Sequence, residues 1–162
     1  MAAGLLDTSV VIDWHDPSVI RALPEEIAVS AITVAELAAG PHLASTTADR
    51  SQRQARLQPA EATFDPIPFD VATARSFGQI VAAVADTGHT HRSRVADLLI
   101  AAIAHANGLV LYTRNPDDFI GLEDLIQVSS RLSGDKQFDC SNFVDLGSHS
   151  KHPPVCGASF TL

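Results

Sequence analysis

Four acidic residues lie at predicted strand ends and at a predicted helix start, where their carboxylates could bind a metal ion together. Asp7, Glu36 and Asp118 each come shortly after an apolar run that predicts a buried strand. Asp97 lies near the start of an apolar helix that is predicted between Arg94 and Gly108. An ionised carboxylate in a buried helix is strongly unfavourable unless it is paired or binds a cation. We therefore predict that Asp97 binds a divalent metal together with the other three acids.

The order of the predicted elements brings these acids to one edge of a sheet. Residues 3–7, 27–33 and 109–113 predict buried strands, with a weaker strand at 126–128, and helical segments lie between them. This alternation predicts an α/β fold with three layers, in which helices cover both faces of a mainly parallel central sheet. The carboxyl ends of parallel strands share one edge, and the helices start from it. The four carboxylates are therefore expected around one cleft.

Such a cluster of carboxylates favours one kind of chemistry. Neighbouring carboxylates repel one another, and their oxygen atoms select Mg²⁺ or Mn²⁺ over softer metals. Enzymes that hydrolyse phosphodiester bonds commonly use a divalent ion bound by carboxylates in this way. The sequence has no Gly-x-Ser-x-Gly nucleophile motif and no glycine-rich phosphate loop to suggest another reaction.

Two of the acids also fit purely structural roles. Asp7 is placed to be only the N-cap of a helix that begins after it. Glu36 fits a capping box in which Thr33 is the N-cap and Glu36 is the third helical residue. Both interpretations stay open beside metal binding, because either role leaves the carboxylate near the edge of the sheet.

Two other groups of residues are predicted to have no part in catalysis. Arg50, Arg53 and Arg56 recur at helical spacing, and a solvated helix face is favoured over contact with RNA or a partner. His89 and His91 resemble a metal-binding pair, but they lack further ligands at a suitable spacing and are interpreted as loop residues.

Charge and hydropathy limit the class of protein. The net charge is −8, which counts against a simple nucleic-acid-binding module. It does not count against an acidic metal site that acts on nucleic acid, since a bound cation reverses the local charge. The N-terminus has no signal-peptide pattern, and no apolar run is long enough to cross a membrane, so a cytoplasmic protein is expected.

The composition changes near residue 131. Residues 1–131 contain nine arginines and no lysine, whereas residues 132–162 contain both lysines and both cysteines, Cys140 and Cys156. We predict one folded domain over 1–131 and an irregular C-terminal extension over 132–162. A non-native or read-through origin of the extension is favoured over a native one, and the cysteines are interpreted as structurally incidental.

Four short motifs carry a resemblance to a known family. They are Leu5–Ser9, Thr33–Leu37, Arg94–Ala102 and Thr113–Phe119. In this order and at these intervals, the chain resembles the PIN-domain ribonucleases of the VapC toxin family over about residues 3–130. The resemblance implies a compact α/β/α nuclease domain with Mg²⁺-dependent endonucleolytic cleavage of RNA. It also implies dimerisation, or a toxin–antitoxin hetero-oligomer, and inhibition by a cognate VapB-like antitoxin that binds DNA.

The resemblance assigns roles to the four acids. Asp7 and Asp97 match the main metal ligands, and Glu36 and Asp118 match acids that act through water. Asp117 also fits the variable fourth motif, but Asp118 is favoured because it directly precedes Phe119.

The resemblance also assigns supporting roles. A hydroxyl beside the first acid is matched by Thr8 or Ser9, and the polar residues that orient the fourth acid are matched by Thr113 and Asn115. Three arginines border the expected cleft, either to bind RNA phosphates or to neutralise the acids. They are Arg92, Arg94 and Arg114.

Other functions remain open on the sequence alone. One is a housekeeping nuclease that acts on rRNA precursors or structured DNA, which would not arrest growth when it is produced without a partner. Another is a non-catalytic interaction module in which Asp7 and Glu36 only cap helices. Such a module would gain no stability from Mg²⁺ or Mn²⁺.

Overall fold

The structure, a computed structural model, describes residues 3–88 and 94–130. Its strands are β1 (Gly4–Leu6), β2 (Ile27–Val29), β3 (Val110–Tyr112) and β4 (Val128–Ser129). Its α-helices are α1 (Thr8–Val11), α2 (Pro17–Ile20), α3 (Ala31–Ala39), α4 (Thr47–Thr63), α5 (Val71–Asp86) and α6 (Val95–Asn107). Within the described residues, a first 3₁₀ helix covers Gly40–Leu43 and a second covers Pro116–Phe119.

The four strands form one parallel sheet in the order β2-β1-β3-β4. In the centre of the sheet, Leu6 of β1 aligns with Val29 of β2 on one side and with Tyr112 of β3 on the other. β1 is apolar and buried throughout, as a parallel strand covered on both faces requires. The predicted parallel sheet is confirmed.

Helices cover both faces of this sheet. Leu5 and Leu6 are neighbours on β1, yet they belong to two separate core clusters, because successive strand residues point to opposite faces. Leu5 lies in a cluster with Ile80 of α5 and Ile103 of α6, whereas Leu6 lies in one with Leu37 of α3. The predicted three-layer α/β/α arrangement is therefore confirmed.

Helix α6 is the most deeply buried helix of the described chain. Every residue from Ile100 to Ala104 is fully buried, which explains why the segment is apolar almost all round. Its C-terminus is closed by Gly108, whose φ of 63° lies in the left-handed region that favours glycine. The N-terminal end carries Asp97 in its first turn.

The start of α3 differs from the prediction. Ser30, not Thr33, is the N-cap: its side chain accepts a hydrogen bond from the Thr33 amide at 2.9 Å. Strand β2 ends at Val29, and Ile67 continues the backbone pairing beside Ser30. Glu36 is therefore the sixth helical residue rather than the third, and the capping-box interpretation is wrong.

Most other elements match the predictions in kind, with shifted ends. Asp70 is the N-cap of α5 and accepts a hydrogen bond from the Thr73 amide at 2.8 Å. The arginine-bearing helix α4 covers Thr47–Thr63, and Arg53 makes an ion pair with Asp49 at 3.0 Å. This contact supports a structural role for the arginine face.

Some predictions fall on residues outside the described part of the chain. These are the loop assignment of His89 and His91, the extension at 132–162, and the roles of Cys140 and Cys156. Among the described residues, no helix combines the length and the apolar character needed to cross a bilayer.

The close packing around β1 gives a stability prediction. A Cβ atom at Gly4 would lie 2.7 Å from Cε2 of Tyr112 and 2.9 Å from Cγ of Pro24. We expect Gly4→Ala to lower the free energy of unfolding by about 1–3 kcal/mol, because neighbouring side chains must move. Urea denaturation followed by circular dichroism measures this change.

Gly78→Ala is the matched control. A Cβ atom at Gly78, within α5, meets nothing within 4 Å, so alanine should raise the free energy of unfolding by about 0.5–1 kcal/mol through its helix propensity. Equal effects of the two substitutions would contradict the packing described for β1.

Candidate active site

Asp7 is the most buried of the four acids, with 4% of its surface exposed. It occupies the N-cap position of α1, but its side chain makes no capping hydrogen bond. Instead, Oδ2 accepts hydrogen bonds from Ser9 Oγ at 2.6 Å and from Thr113 Oγ1 at 2.9 Å. Oδ1 is buried and has no hydrogen-bond partner. The carboxylate is thus fixed through one oxygen, while the other is buried and unpartnered.

The two hydroxyls that hold Asp7 also join the loops after β1 and β3. Thr113 Oγ1 accepts a hydrogen bond from the Asn115 amide at 3.0 Å, and Ser9 Oγ accepts one from the Arg114 amide at 3.1 Å. Thr113 thus contacts the first acid, Asp7. Asn115 lies nearer the fourth acid, since its carbonyl accepts a hydrogen bond from the Asp118 amide at 3.1 Å.

Glu36 extends from α3 toward the same edge. The Thr8 hydroxyl donates a hydrogen bond to Glu36 Oε2, which connects α3 to the start of α1. Burial raises the pKa of Glu36, the Thr8 hydrogen bond opposes this rise, and the charge of Asp7 adds to it. Both hydroxyls next to the first acid are therefore used: Ser9 by Asp7 and Thr8 by Glu36.

Asp97 shows that the four acids form one electrostatic site. Burial, together with the charges of Asp7, Asp118 and Glu36, raises the pKa of Asp97 to about 7, whereas Arg94 opposes the rise. Each of the other three acids is therefore close enough to destabilise its ionised form. The sequence predicts these four carboxylates at one edge of the sheet, and the structure brings them together there.

Asp118 occupies the second 3₁₀ helix, Pro116–Phe119, and is half-buried. Burial raises its pKa, the charge of Asp7 adds to the rise, and Arg94 opposes it. The neighbouring Asp117 is exposed, and it does not contribute to the pKa shift of Asp97. The geometry therefore favours Asp118 over Asp117 as the fourth acid.

The arginines near the site differ in their surroundings. Arg114 is exposed and makes a 3.5 Å ion pair with Asp13. Arg94 Nη1 donates to the carbonyl oxygen of Asp118 at 2.8 Å and approaches that of Asp117 at 3.5 Å. Arg92 lies outside the described residues. The contact made by Arg94 could not be predicted from the sequence, because its acceptors are backbone carbonyl oxygens that any residue has.

The chemistry of the donor set fits a hard divalent cation. The unpartnered Oδ1 of Asp7 and the destabilised Asp97 carboxylate are oxygen donors that a cation would stabilise. Within residues 3–88 and 94–130, no three His, Cys, Asp or Glu side chains are arranged as direct ligands of one metal. Mg²⁺ commonly keeps several waters and takes only one or two carboxylates, which suits two direct ligands and two acids acting through water.

Comparisons with known proteins agree with this architecture. The PIN domain family model matches residues 4–124. The chain is 36% identical to Ribonuclease VapC5 of Mycobacterium tuberculosis over 129 residues, which cover 78% of this chain and 93% of that protein. It is 38% identical to Ribonuclease VapC8 of the same organism over 104 residues, which cover 64% of this chain and 92% of that protein.

Solved structures show the same fold. The structure of VapBC-5, a member of the VapBC family of toxin–antitoxin systems from Mycobacterium tuberculosis, matches with a TM-score of 0.68 and 35% identity. That match covers 80% of this chain and 97% of the other. FitAcB from Neisseria gonorrhoeae matches with a TM-score of 0.62 and 29% identity, over 76% of this chain and 94% of the other.

The raised pKa of Asp97 gives a prediction about stability and pH in the presence of a chelator. The pKa of the Asp97 carboxyl is 3.8 in the unfolded chain and about 7 in the folded protein. Between these values the unfolded chain releases a proton that the folded chain keeps, so stability falls as pH rises from about 4 to 7. Asp97→Asn removes this loss, so urea denaturation in EDTA should find the variant more stable than the parent at pH 8. The expected gain is about 1–2 kcal/mol, because solvent screens a half-buried group.

Asp70→Asn is the control with the opposite sign. Hydrogen bonds to the Thr73 amide lower the pKa of Asp70, so its ionised form stabilises the fold above pH 4. The variant should therefore lose stability relative to the parent as pH rises. A parent that loses no more stability than Asp97→Asn between pH 4 and pH 8 would contradict the electrostatic site described here.

Proposed function

The chain belongs to the PIN-domain family and, within it, to the VapC ribonucleases, and from this we propose that it is an endoribonuclease. It hydrolyses RNA phosphodiester bonds at the four-acid site and acts as the toxin of a type II toxin–antitoxin pair. Relatives named Ribonuclease VapC5 and VapC8 support the activity, and the structural match to VapBC-5 supports the toxin–antitoxin setting.

One observation carries the catalytic proposal. Asp7 is held rigidly through Oδ2, while its buried Oδ1 has no partner and Asp97 is destabilised by the surrounding acids. A purely structural carboxylate would have both oxygens satisfied, since an unpaired buried polar atom is unfavourable. This arrangement supports a divalent cation, Mg²⁺ or Mn²⁺, held directly by Asp7 and Asp97.

Held by Asp7 and Asp97, a cation would lower the pKa of an attacking water and neutralise charge on the phosphate. The protein side chains orient the rest of the site. Ser9 and Thr113 hold Asp7, and the Thr8 hydroxyl holds Glu36. Burial raises the pKa of Glu36, which suits a carboxylate that accepts a proton from water.

Asp118 completes the set of acids from the 3₁₀ turn after β3, and the charge of Asp7 adds to the rise of its pKa. Arg114, which is exposed at the border of the site, is suited to contact an RNA phosphate, because its 3.5 Å pairing with Asp13 is loose and solvated. Arg92 is proposed for the same role on the sequence pattern alone.

The proposed partner is a VapB-like antitoxin, which forms a hetero-oligomer with a dimer of this chain. An acidic site invites inhibition by a basic segment, since an arginine placed among the acids could replace the cation. The folded nuclease is proposed to comprise residues 1–131, and residues 132–162 are proposed to form a separate extension. The proposed site of action is the cytoplasm.

RNA cleavage tests the catalytic proposal. We expect the parent chain to cleave single-stranded RNA with Mg²⁺ or Mn²⁺ and to lose this activity with EDTA. Asp97→Asn should reduce the cleavage rate by about a hundredfold or more, since it removes a direct ligand and a charge. A gel assay with 5′-labelled RNA measures both effects.

Asp70→Asn is the matched control for this assay, because it makes the same chemical change at an exposed helix cap outside the four-acid site, where asparagine can still cap the helix. It should cleave like the parent. Equal cleavage by Asp97→Asn and the parent would refute the mechanism. Cleavage without growth arrest, when the chain is expressed without its antitoxin, would support a housekeeping nuclease over a toxin.

A further inference from the structure

Arg94 links the start of α6, which carries Asp97, to the backbone of the turn that carries Asp118. It occupies the N-cap position of α6, three residues before Asp97, and its side chain does not cap that helix. The guanidinium reaches the second 3₁₀ helix instead, where Nη1 donates to the carbonyl oxygen of Asp118 at 2.8 Å. The carbonyl oxygen of Asp117 lies 3.5 Å from the same nitrogen. One side chain therefore joins the start of α6 to the turn that carries the fourth acid.

This 3₁₀ turn has no side-chain cap, and backbone bonds close its ends. Its N-cap, Asn115, makes no side-chain capping hydrogen bond. Within the turn, the Asp118 amide donates to the Asn115 carbonyl at 3.1 Å, and the Ile120 amide approaches the Asp117 carbonyl only at 3.5 Å. Phe119, which is 2% exposed, anchors the turn in the core. Phe119 in the core and the Arg94 guanidinium therefore both contribute to the position of the Asp118 backbone.

The guanidinium of Arg94 is poorly placed to bind an RNA phosphate itself. Nη1 is engaged by the backbone, and Nη2 is buried without a hydrogen-bond partner. Arg114, in contrast, is exposed. The two arginines therefore serve different purposes, although both border the acids.

We propose that Arg94 is a positioning residue, which sets the place of Asp118 in the active site by bonding its backbone carbonyl. It acts on cleavage through Asp118 and not through the substrate. This inference rests on the proposed nuclease function for its kinetic consequences, but the contact itself can be tested without activity.

A double-mutant cycle measures whether Arg94 acts through Asp118. The four proteins are the parent, Arg94→Ala, Asp118→Asn and the double variant, all as the full chain. We expect Arg94→Ala to lower kcat about tenfold, the usual effect of losing one charged hydrogen bond, with KM for RNA nearly unchanged. In the Asp118→Asn background, Arg94→Ala should lower kcat less than about twofold, since coupled residues are not additive.

Arg75→Ala is the matched control. Arg75 is an exposed arginine on α5 next to Ser76, which contacts His105 at the far end of α6 from Asp97. The control should retain parental kcat and KM. An equal tenfold loss from Arg94→Ala in both backgrounds, or a rise in KM alone, would overturn the proposal and assign Arg94 to the substrate.

Hydrogen exchange tests the contact independently of catalysis. In Arg94→Ala, the Asp118 amide should exchange at least about tenfold faster than in the parent, because the turn is no longer held. The Val84 amide of the neighbouring helix α5 should be unchanged, which excludes general unfolding as the cause. Unchanged exchange at Asp118 would overturn the proposal. Absence of RNA cleavage by the parent would refute the nuclease function but leave this exchange result to decide the role of Arg94.

Discussion

Mutual repulsion among four carboxylates is the constraint that the rest of this structure must satisfy. The effect of this repulsion is clearest at Asp97, where burial and the charges of the three other acids raise the pKa to about 7. Without a bound cation, this repulsion destabilises the folded protein, so the rest of the fold must supply the stability that offsets it. The fully buried segment Ile100–Ala104 of α6 and the apolar strand β1 provide that stability on either side of the acids. The core fixes Asp97 and Asp7 in place, and a cation would relieve their repulsion.

The register of the sheet determines which oxygen of Asp7 is free. β1 aligns Leu6 with Tyr112, and the Asp7 amide continues the ladder by donating to the Tyr112 carbonyl at 2.9 Å. Thr113 therefore lies beside Asp7, and its hydroxyl occupies Oδ2 together with Ser9. A shift of one residue would move Thr113 to the other face of the sheet. Strand pairing thus orients the Asp7 carboxylate and leaves one of its oxygens without a hydrogen-bond partner.

The fold and the grouping of the acids could be predicted from sequence because both depend on local patterns. Apolar runs identify buried strands, and parallel strands bring the residues at their carboxyl ends to one edge of the sheet. The exact start of α3 could not be predicted, since Ser30 and Thr33 are both favourable N-caps by residue type. Ser30 is selected by the pairing of Ile67 beside it, which is a tertiary contact. The hydrogen bond from Arg94 to the Asp118 carbonyl could not be predicted either, because every residue type has a backbone carbonyl.

The most direct measurement of the central claim is the position of Mn²⁺ in crystals of the protein, located from its anomalous scattering. The unpartnered Oδ1 of Asp7 and the raised pKa of Asp97 predict one strong peak within direct ligand distance of both carboxylates. Glu36 and Asp118 should reach that ion through water. A well-occupied Mn²⁺ peak elsewhere, with Asp7 and Asp97 left without a cation, would contradict the account.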